Sequence, residues 1–178
     1  MKAILLVGWL FLILSWPSSA ETASPTMENA WQSWPQVGKA TLTWGWWTIY
    51  RSELRAPDGD YQPQQPHALV ITYARDISDK RLMEATDDQW QHLGFSASQR
   101  AVWLEKISPA WGDIKENDRL AFVRTQTGGT FYYQRADQNW QPTLNLTDTA
   151  LADAFLAIWL SENTDYPDHR KALLGDPS

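Results

Sequence analysis

The side chains with the most evident capacity for binding chemistry in this sequence are aromatic. The chain of 178 residues holds 12 tryptophans and 6 tyrosines, and Trp44, Trp46 and Trp47 form the densest group. Aromatic rings fill wide cores, wall pockets for flat or long apolar ligands, or stack on sugars when they are exposed. The residues alone leave core filling and a pocket wall open as interpretations, and carbohydrate stacking ranks third.

A candidate ligand site follows from alternation along residues 40–50, whose β-branched and aromatic composition predicts a strand. Successive side chains of a strand point to opposite sides. Trp44, Trp46, Thr48 and Tyr50 are therefore expected to share the side that forms the pocket wall, and Trp47 and Ile49 are expected to face away from it. Tyr73 and Arg75 alternate in the same way at the end of the next strand, where an arginine could bind a carboxylate in a bidentate manner. The predicted ligand-binding residues are Trp44, Trp46, Thr48, Tyr50, Tyr73 and Arg75.

Several other chemistries are excluded by residue types and spacing. The chain has no cysteine, so it offers no disulfide, no thiolate nucleophile and no cysteine-type zinc site. No two of its three histidines have the i, i+4 spacing of a helical zinc motif. The segment that begins with residues 113–118 lacks the glycine at the sixth position and the terminal glutamate of a calcium loop, and no G-x-S-x-G nucleophile turn occurs. The sequence therefore predicts no metal and no cofactor.

The first 20 residues predict export. Met1-Lys2 precedes an uncharged apolar run of 14 residues and the small residues Ser18 and Ala20, which is the order of a secretory signal peptide. A bilayer-spanning helix needs about 20 apolar residues, so we predict cleavage after Ala20 and no membrane segment after processing. We expect residues 21–33 to form a flexible tail and residues 34–178 a single domain.

Charge and compartment follow from this processing. Without Lys2 the chain keeps 14 basic and 21 acidic side chains, a net charge of −7, which argues against nucleic acid as a partner. An exported protein without disulfides fits a bacterial periplasm better than a eukaryotic secretory route.

The predicted elements group strands apart from helices. Strands are predicted at 40–50, 67–74, 118–126 and 130–135, the last two joined around Thr127-Gly128-Gly129. Because residues 40–50 carry large apolar groups on both sides, that strand is expected to be central. Helices are predicted at 78–93, from Ser96 to Pro109, after Thr147-Asp148, and from Tyr166-Pro167 to Gly175. This order predicts an α+β fold with helices on one face of a largely antiparallel sheet.

Six segments in order resemble one known family: 37–40, 47–50, 54–59, 72–77, 155–161 and 167–175. Between about Trp34 and Gly175 the chain resembles the exported bacterial chalcone isomerase-like proteins. The resemblance implies an open-faced β-sandwich, in which helices cover one face of a large antiparallel sheet and a ligand cleft lies between them.

The resemblance also bears on activity. Active plant isomerases of this fold close a flavanone ring with the help of a strand arginine, but the matching stretch here, residues 38–42, contains no arginine. The polar position near the end of their long helix falls on Ile158, and Tyr50 alone keeps a hydroxyl. We therefore expect a non-catalytic protein that binds a small amphipathic ligand, a fatty acid or an aromatic acid. Two alternatives stay open: a divergent isomerase-type intramolecular lyase, and a structural or interaction protein with a closed tryptophan-filled core.

Overall fold

The structure is a computed structural model that describes residues 29–176. The predicted signal peptide and residues 21–28 of the predicted tail lie outside the described residues. Strands and helices follow the order β1 (Gln36–Trp44), β2 (Trp47–Arg55), β3 (His67–Tyr73), α1 (Asp79–His92), α2 (Ala97–Ile107), β4 (Arg119–Thr125), β5 (Gly128–Gln134), β6 (Gln141–Leu146), α3 (Thr149–Leu160) and α4 (Pro167–Leu173). Short 3₁₀ turns span Ala30–Ser33 and Ser108–Ala110.

The six strands form one antiparallel sheet in sequence order, from β1 to β6. All four α-helices follow β3, and the larger core cluster joins them to the sheet face that carries Leu54, Leu69 and Phe122. The opposite face carries a smaller cluster around Val70, with Trp31 packed on it. The α+β class and the antiparallel sheet are therefore confirmed.

Local capping explains why the helices begin and end where they do. The side chains of Ser78, Ser96 and Asp148 accept hydrogen bonds from the first-turn amides of α1, α2 and α3. Gly94 follows α1 with a positive φ of 86°, a conformation that glycine adopts without strain. Within residues 29–176, no helix is long and apolar enough to cross a membrane.

The prediction of one central strand at 40–50 is wrong. Trp44 pairs directly with Trp47, so Gly45 and Trp46 form a two-residue turn between β1 and β2. Gly45 has a φ of 58°, which turns of this length favour and which alternation arguments do not detect. The hairpin lies at one side of the sheet, since β1 is an edge strand.

Two further boundaries differ from the sequence analysis. The β4–β5 turn falls at residues 126–127, so Gly128 and Gly129 belong to β5, where a side chain on Gly129 would collide with the ring of Phe122. Strand β6 was not predicted, because its polar composition and Pro142 are typical of an edge strand rather than of a buried one.

The fold also begins earlier than predicted. Trp31, placed by the sequence analysis in the flexible tail, is buried on the sheet face opposite the helices. Its ring contacts Trp140 edge-on at 5.0 Å and Tyr132 at 5.2 Å between centroids. Burial of a ring this large stabilises the segment against the sheet.

Candidate functional site

A cavity of about 300 Å³ lies between the β1–β3 part of the sheet and helices α1 and α3. Its wall is mainly aromatic and aliphatic, with polar side chains contributed by α1. The aromatic members are Tyr50, Tyr73, Trp111, Phe155, Trp159 and Tyr166; the aliphatic members are Leu42, Ile49, Ile77, Leu82, Ala85, Leu120 and Ile158; the polar members from α1 are Arg81, Thr86, Asp88 and Gln89. A concave apolar site with a few polar groups is the usual form of a small-molecule site.

A β-bulge shapes the sheet side of this cavity. Leu42 pairs with Tyr50 whereas Thr43 pairs with Thr48, so Ile49 is the extra residue. A bulge interrupts strict alternation, and both Ile49 and Tyr50 line the cavity here. Simple alternation had placed these two residues on opposite sides of the strand.

Tyr50 is held in the cavity wall by a buried hydrogen bond. The Trp159 indole Nε1–H donates to the Tyr50 hydroxyl at 2.8 Å. Burial raises the pKa of Tyr50 well above its usual value. The phenol therefore stays neutral at physiological pH and keeps its proton to donate.

Tyr73 contributes a second hydroxyl to the wall. Its ring is buried and lies edge-on to Tyr50, with centroids 6.1 Å apart. Burial raises the pKa of Tyr73 far above normal, and within residues 29–176 its hydroxyl has no hydrogen-bond partner. A neutral hydroxyl in an apolar wall is available both to donate and to accept a hydrogen bond.

Two polar atoms of other cavity-lining residues are fully buried without a partner in the described part of the chain. They are the Trp111 Nε1–H, a donor, and the Gln89 Oε1, an acceptor. The Gln89 amide nitrogen is engaged with Asp165 at 3.2 Å. Buried polar groups without partners cost free energy, so a ligand with a polar head that satisfied them would be stabilised here.

The structure brings together two of the six predicted ligand-binding residues, Tyr50 and Tyr73, in the cavity wall. Thr48 and Arg75 lie in a shallow depression outside it, with the Arg75 guanidinium 4.7 Å from the centre of the Trp47 ring. Trp44 and Trp46 lie at the hairpin turn, where they are 76% and 100% exposed. The turn and the bulge together remove these two tryptophans from the predicted wall.

The sequence analysis missed one buried polar pair beside the cavity. Ser52 Oγ and His169 Nε2 are hydrogen-bonded at 2.7 Å, and the His169 ring lies edge-on to Tyr50 at 5.8 Å. The pair joins β2 to α4 across 117 positions of sequence, a separation that no local pattern reports. Burial lowers the pKa of His169 to about 4, partly offset by a hydrogen bond with the Thr41 backbone.

We expect the stability of the protein to fall on acidification because of His169. The unfolded chain takes up this proton near pH 6.5, whereas the folded protein resists it down to about pH 4. The stabilisation is therefore complete above pH 6.5 and is lost as the pH falls toward 4, at a cost of about 3 kcal/mol. Urea denaturation between pH 7 and pH 4 measures this slope.

His169→Gln provides the comparison, because an amide can keep a hydrogen bond to Ser52 without titrating. The slope should become shallower in this variant but not vanish, since burial also lowers the pKa of His67. Identical slopes in both proteins would show that His169 does not control acid stability.

Among the described residues, no group of three or more histidine, aspartate or glutamate side chains is arranged to hold a metal ion. The polar groups that the cavity wall does offer are hydroxyl, indole and amide groups together with the side chains of Arg81 and Asp88.

Comparison with known proteins gives a distant similarity to a bacterial protein. No protein-family model matches the chain. An uncharacterized protein from Haemophilus influenzae is 25% identical over 143 residues, which cover 80% of this chain and 68% of that protein.

Proposed function

We propose that this protein is a non-catalytic binding protein for a small amphipathic acid, which it holds between the sheet and helices α1 and α3. The observation that carries the proposal is the cavity of about 300 Å³, which is walled by apolar rings and bears the Tyr73 hydroxyl, a group without a hydrogen-bond partner within residues 29–176. Apolar surface would hold the body of the ligand, and the few polar groups would orient its head.

The size of the cavity favours a compact ligand. Its volume of about 300 Å³ corresponds to roughly ten molecules of liquid water and lies at the low end of the range for ligand pockets. A medium-chain fatty acid or a single-ring aromatic acid fits this volume better than a long-chain lipid does.

Arg81 is the proposed partner for the ligand carboxylate, in place of the predicted Arg75. Arg75 is engaged outside the cavity with Trp47, whereas Arg81, on the first turn of α1, lines the cavity from an exposed position. Arg81 has no ion-pair partner within residues 29–176, so its guanidinium is available to a ligand carboxylate. Asp88, also on α1, lines the same cavity and would disfavour a second negative charge on the ligand.

Membership of the exported chalcone isomerase-like family is part of this proposal. An antiparallel sheet with helices over one face and a cavity between them agrees with the fold that the resemblance implies. A periplasmic location is also part of the proposal, and the similarity to a protein from the bacterium Haemophilus influenzae is consistent with it.

The cavity supports binding better than the two alternatives. Ring closure in the plant enzymes relies on a strand arginine, but the arginine that lines this cavity is Arg81, exposed on a helix. Loss of a preorganised charge at the reacting oxygen lowers rates by about 10²–10³. A purely structural protein with a closed core would fill this space with its own tryptophans, whereas Trp44 and Trp46 lie outside.

Binding of decanoate and of cinnamate tests the proposal. Decanoate should change the fluorescence of Trp111 and Trp159 saturably, and cinnamate binding should be measurable by titration calorimetry. Tyr73→Phe should weaken binding about tenfold, because one hydrogen bond to the ligand head is lost, while protein stability changes little.

Trp46→Ala is the matched control, since this fully exposed ring lies outside the cavity, and its affinity for decanoate should equal that of the wild type. Absence of saturable binding of either acid to the wild type would remove the proposed function. Unchanged affinity in Tyr73→Phe would show that the ligand head does not reach this hydroxyl.

A further inference from the structure

The β1–β2 hairpin concentrates exposed apolar surface at one point of the molecule. Trp44, Trp46 and Trp47 are 76%, 100% and 57% exposed. The one other large apolar side chain of comparable exposure among residues 29–176 is Val102, on α2. Contiguous exposed apolar surface on a folded protein marks an interaction site.

The fold itself does not require these rings. Two of the three residues are paired across the turn, Trp44 with Trp47, and Gly45 supplies the positive φ. Turns of this length favour small residues such as asparagine and glycine, and a fully exposed Trp46 gains nothing from the core. The rings are thus presented outward on a short, well-defined turn.

The charges around the hairpin indicate which kind of partner it would fit. Residues 40–50 carry no charged side chain, and the two residues that flank them, Lys39 and Arg51, are both basic. Arg75 adds a third cation, stacked on Trp47 at 4.7 Å. In the described part of the chain none of these three forms an ion pair, although the chain as a whole carries a net charge of −6.

Arg75 stacked on the Trp47 ring, with two more basic residues farther along the hairpin strands, fits one kind of partner in particular. Tryptophan is enriched at membrane–water interfaces, where its ring lies in the apolar boundary and its N–H reaches the polar layer. Basic side chains next to such rings pair with lipid phosphates. A neutral sugar has no phosphate or other anionic group with which the three cations could pair.

We infer that the β1–β2 hairpin is a docking element for the surface of a phospholipid bilayer, with the rings of Trp44, Trp46 and Trp47 in the headgroup region. The association is peripheral and reversible, because three side chains bury far less apolar surface than a spanning helix does. Docking does not depend on the cavity being a ligand site.

A link to the cavity follows if the proposed function holds. Leu42 and Ile49 line the cavity, and each lies two residues from a tip tryptophan, Trp44 and Trp47 respectively. A docked hairpin therefore holds one wall of the cavity close to the lipid, where amphipathic acids partition.

Vesicle flotation of the exported protein tests the inference. Wild type, Trp44→Ser/Trp46→Ser and the control Val102→Ser are compared on phosphatidylcholine vesicles, with intact mass confirming that all three have the same N-terminus. The double variant should partition at least tenfold more weakly than the wild type, whereas Val102→Ser should match it. Both changed tryptophans are exposed, so folding should be preserved, as near-ultraviolet circular dichroism would show.

Two further measurements sharpen the outcome. Adding one fifth phosphatidylglycerol should strengthen wild-type partition, and Arg75→Gln should reduce that gain. Equal partition of the wild type and the double variant would overturn the inference. The inference would also be overturned if the wild type did not bind vesicles but bound a soluble glucan. A dimer that the wild type forms in sedimentation and the double variant does not form would overturn it as well. Loss of vesicle binding with unchanged decanoate affinity would separate this surface from the cavity.

Discussion

Replacing Trp90 with alanine is expected to lower the free energy of unfolding by about 3–5 kcal/mol, the usual cost of removing a fully buried aromatic ring. Trp90 is 0% exposed in α1, and its ring contacts Trp103 of α2 at 5.5 Å. Its indole N–H donates to the Ala154 carbonyl of α3 at 2.8 Å. One side chain therefore joins three helices, and its loss leaves a cavity and removes the hydrogen bond between α1 and α3.

Trp46→Ala is the matched control, because it deletes the same side chain at a fully exposed position. Its effect should stay within about 0.5 kcal/mol, as for other surface substitutions. Urea denaturation at pH 7 measures both variants. A loss below about 1 kcal/mol for Trp90→Ala would mean that α1 is held to the molecule by other contacts.

Filling the cavity from α3 should strongly weaken the proposed binding of decanoate. Ile158 is buried, lines the cavity, and has Trp159 and Tyr50 as fellow members of the wall. In Ile158→Trp the larger ring can extend only into the cavity, so it should occupy the volume that a ligand needs. We expect decanoate affinity to fall at least 30-fold, which corresponds to about 2 kcal/mol.

Val102→Trp adds a ring of the same kind on the exposed surface of α2 and should leave the affinity unchanged. Overpacking costs about 1–3 kcal/mol of stability, so the unfolding curve of Ile158→Trp is recorded to show that the protein remains folded during titration. Wild-type affinity in folded Ile158→Trp would place the ligand elsewhere.

Local features of the fold could be predicted because their causes are local. Ser96 and Asp148 begin helices by accepting amide hydrogen bonds within three residues, and Gly94 ends α1 through its own φ. Segregation of strand and helix patterns was enough to predict the α+β class. Each of these inferences compares residues within one turn of a helix or one strand.

The candidate site was only partly predictable, because it depends on breaks in regular patterns. Alternation along residues 40–50 assumed an uninterrupted strand, but the turn at Gly45 and the bulge at Ile49 redirect the side chains. As a result Trp44 and Trp46 lie in solvent while Ile49 and Tyr50 line the cavity. A single glycine in an aromatic run was the available signal for the turn. The sequence contains no corresponding signal for the bulge at Ile49.

By itself the sequence determined the helix ends, the segments that form β3, β4 and β5, the acidic charge and the absence of cysteine chemistry, since these depend on residue type and near neighbours. Tertiary structure alone decided which polar groups meet. Tyr50 is hydrogen-bonded to Trp159 across 109 positions, and Ser52 to His169 across 117. Such pairs form because sheet register and helix packing bring distant segments together, and neither register nor packing is encoded in any short window of the chain. Within residues 29–176 the same packing leaves the Tyr73 hydroxyl without a hydrogen-bond partner at the cavity wall, which is why the candidate site became visible only in three dimensions.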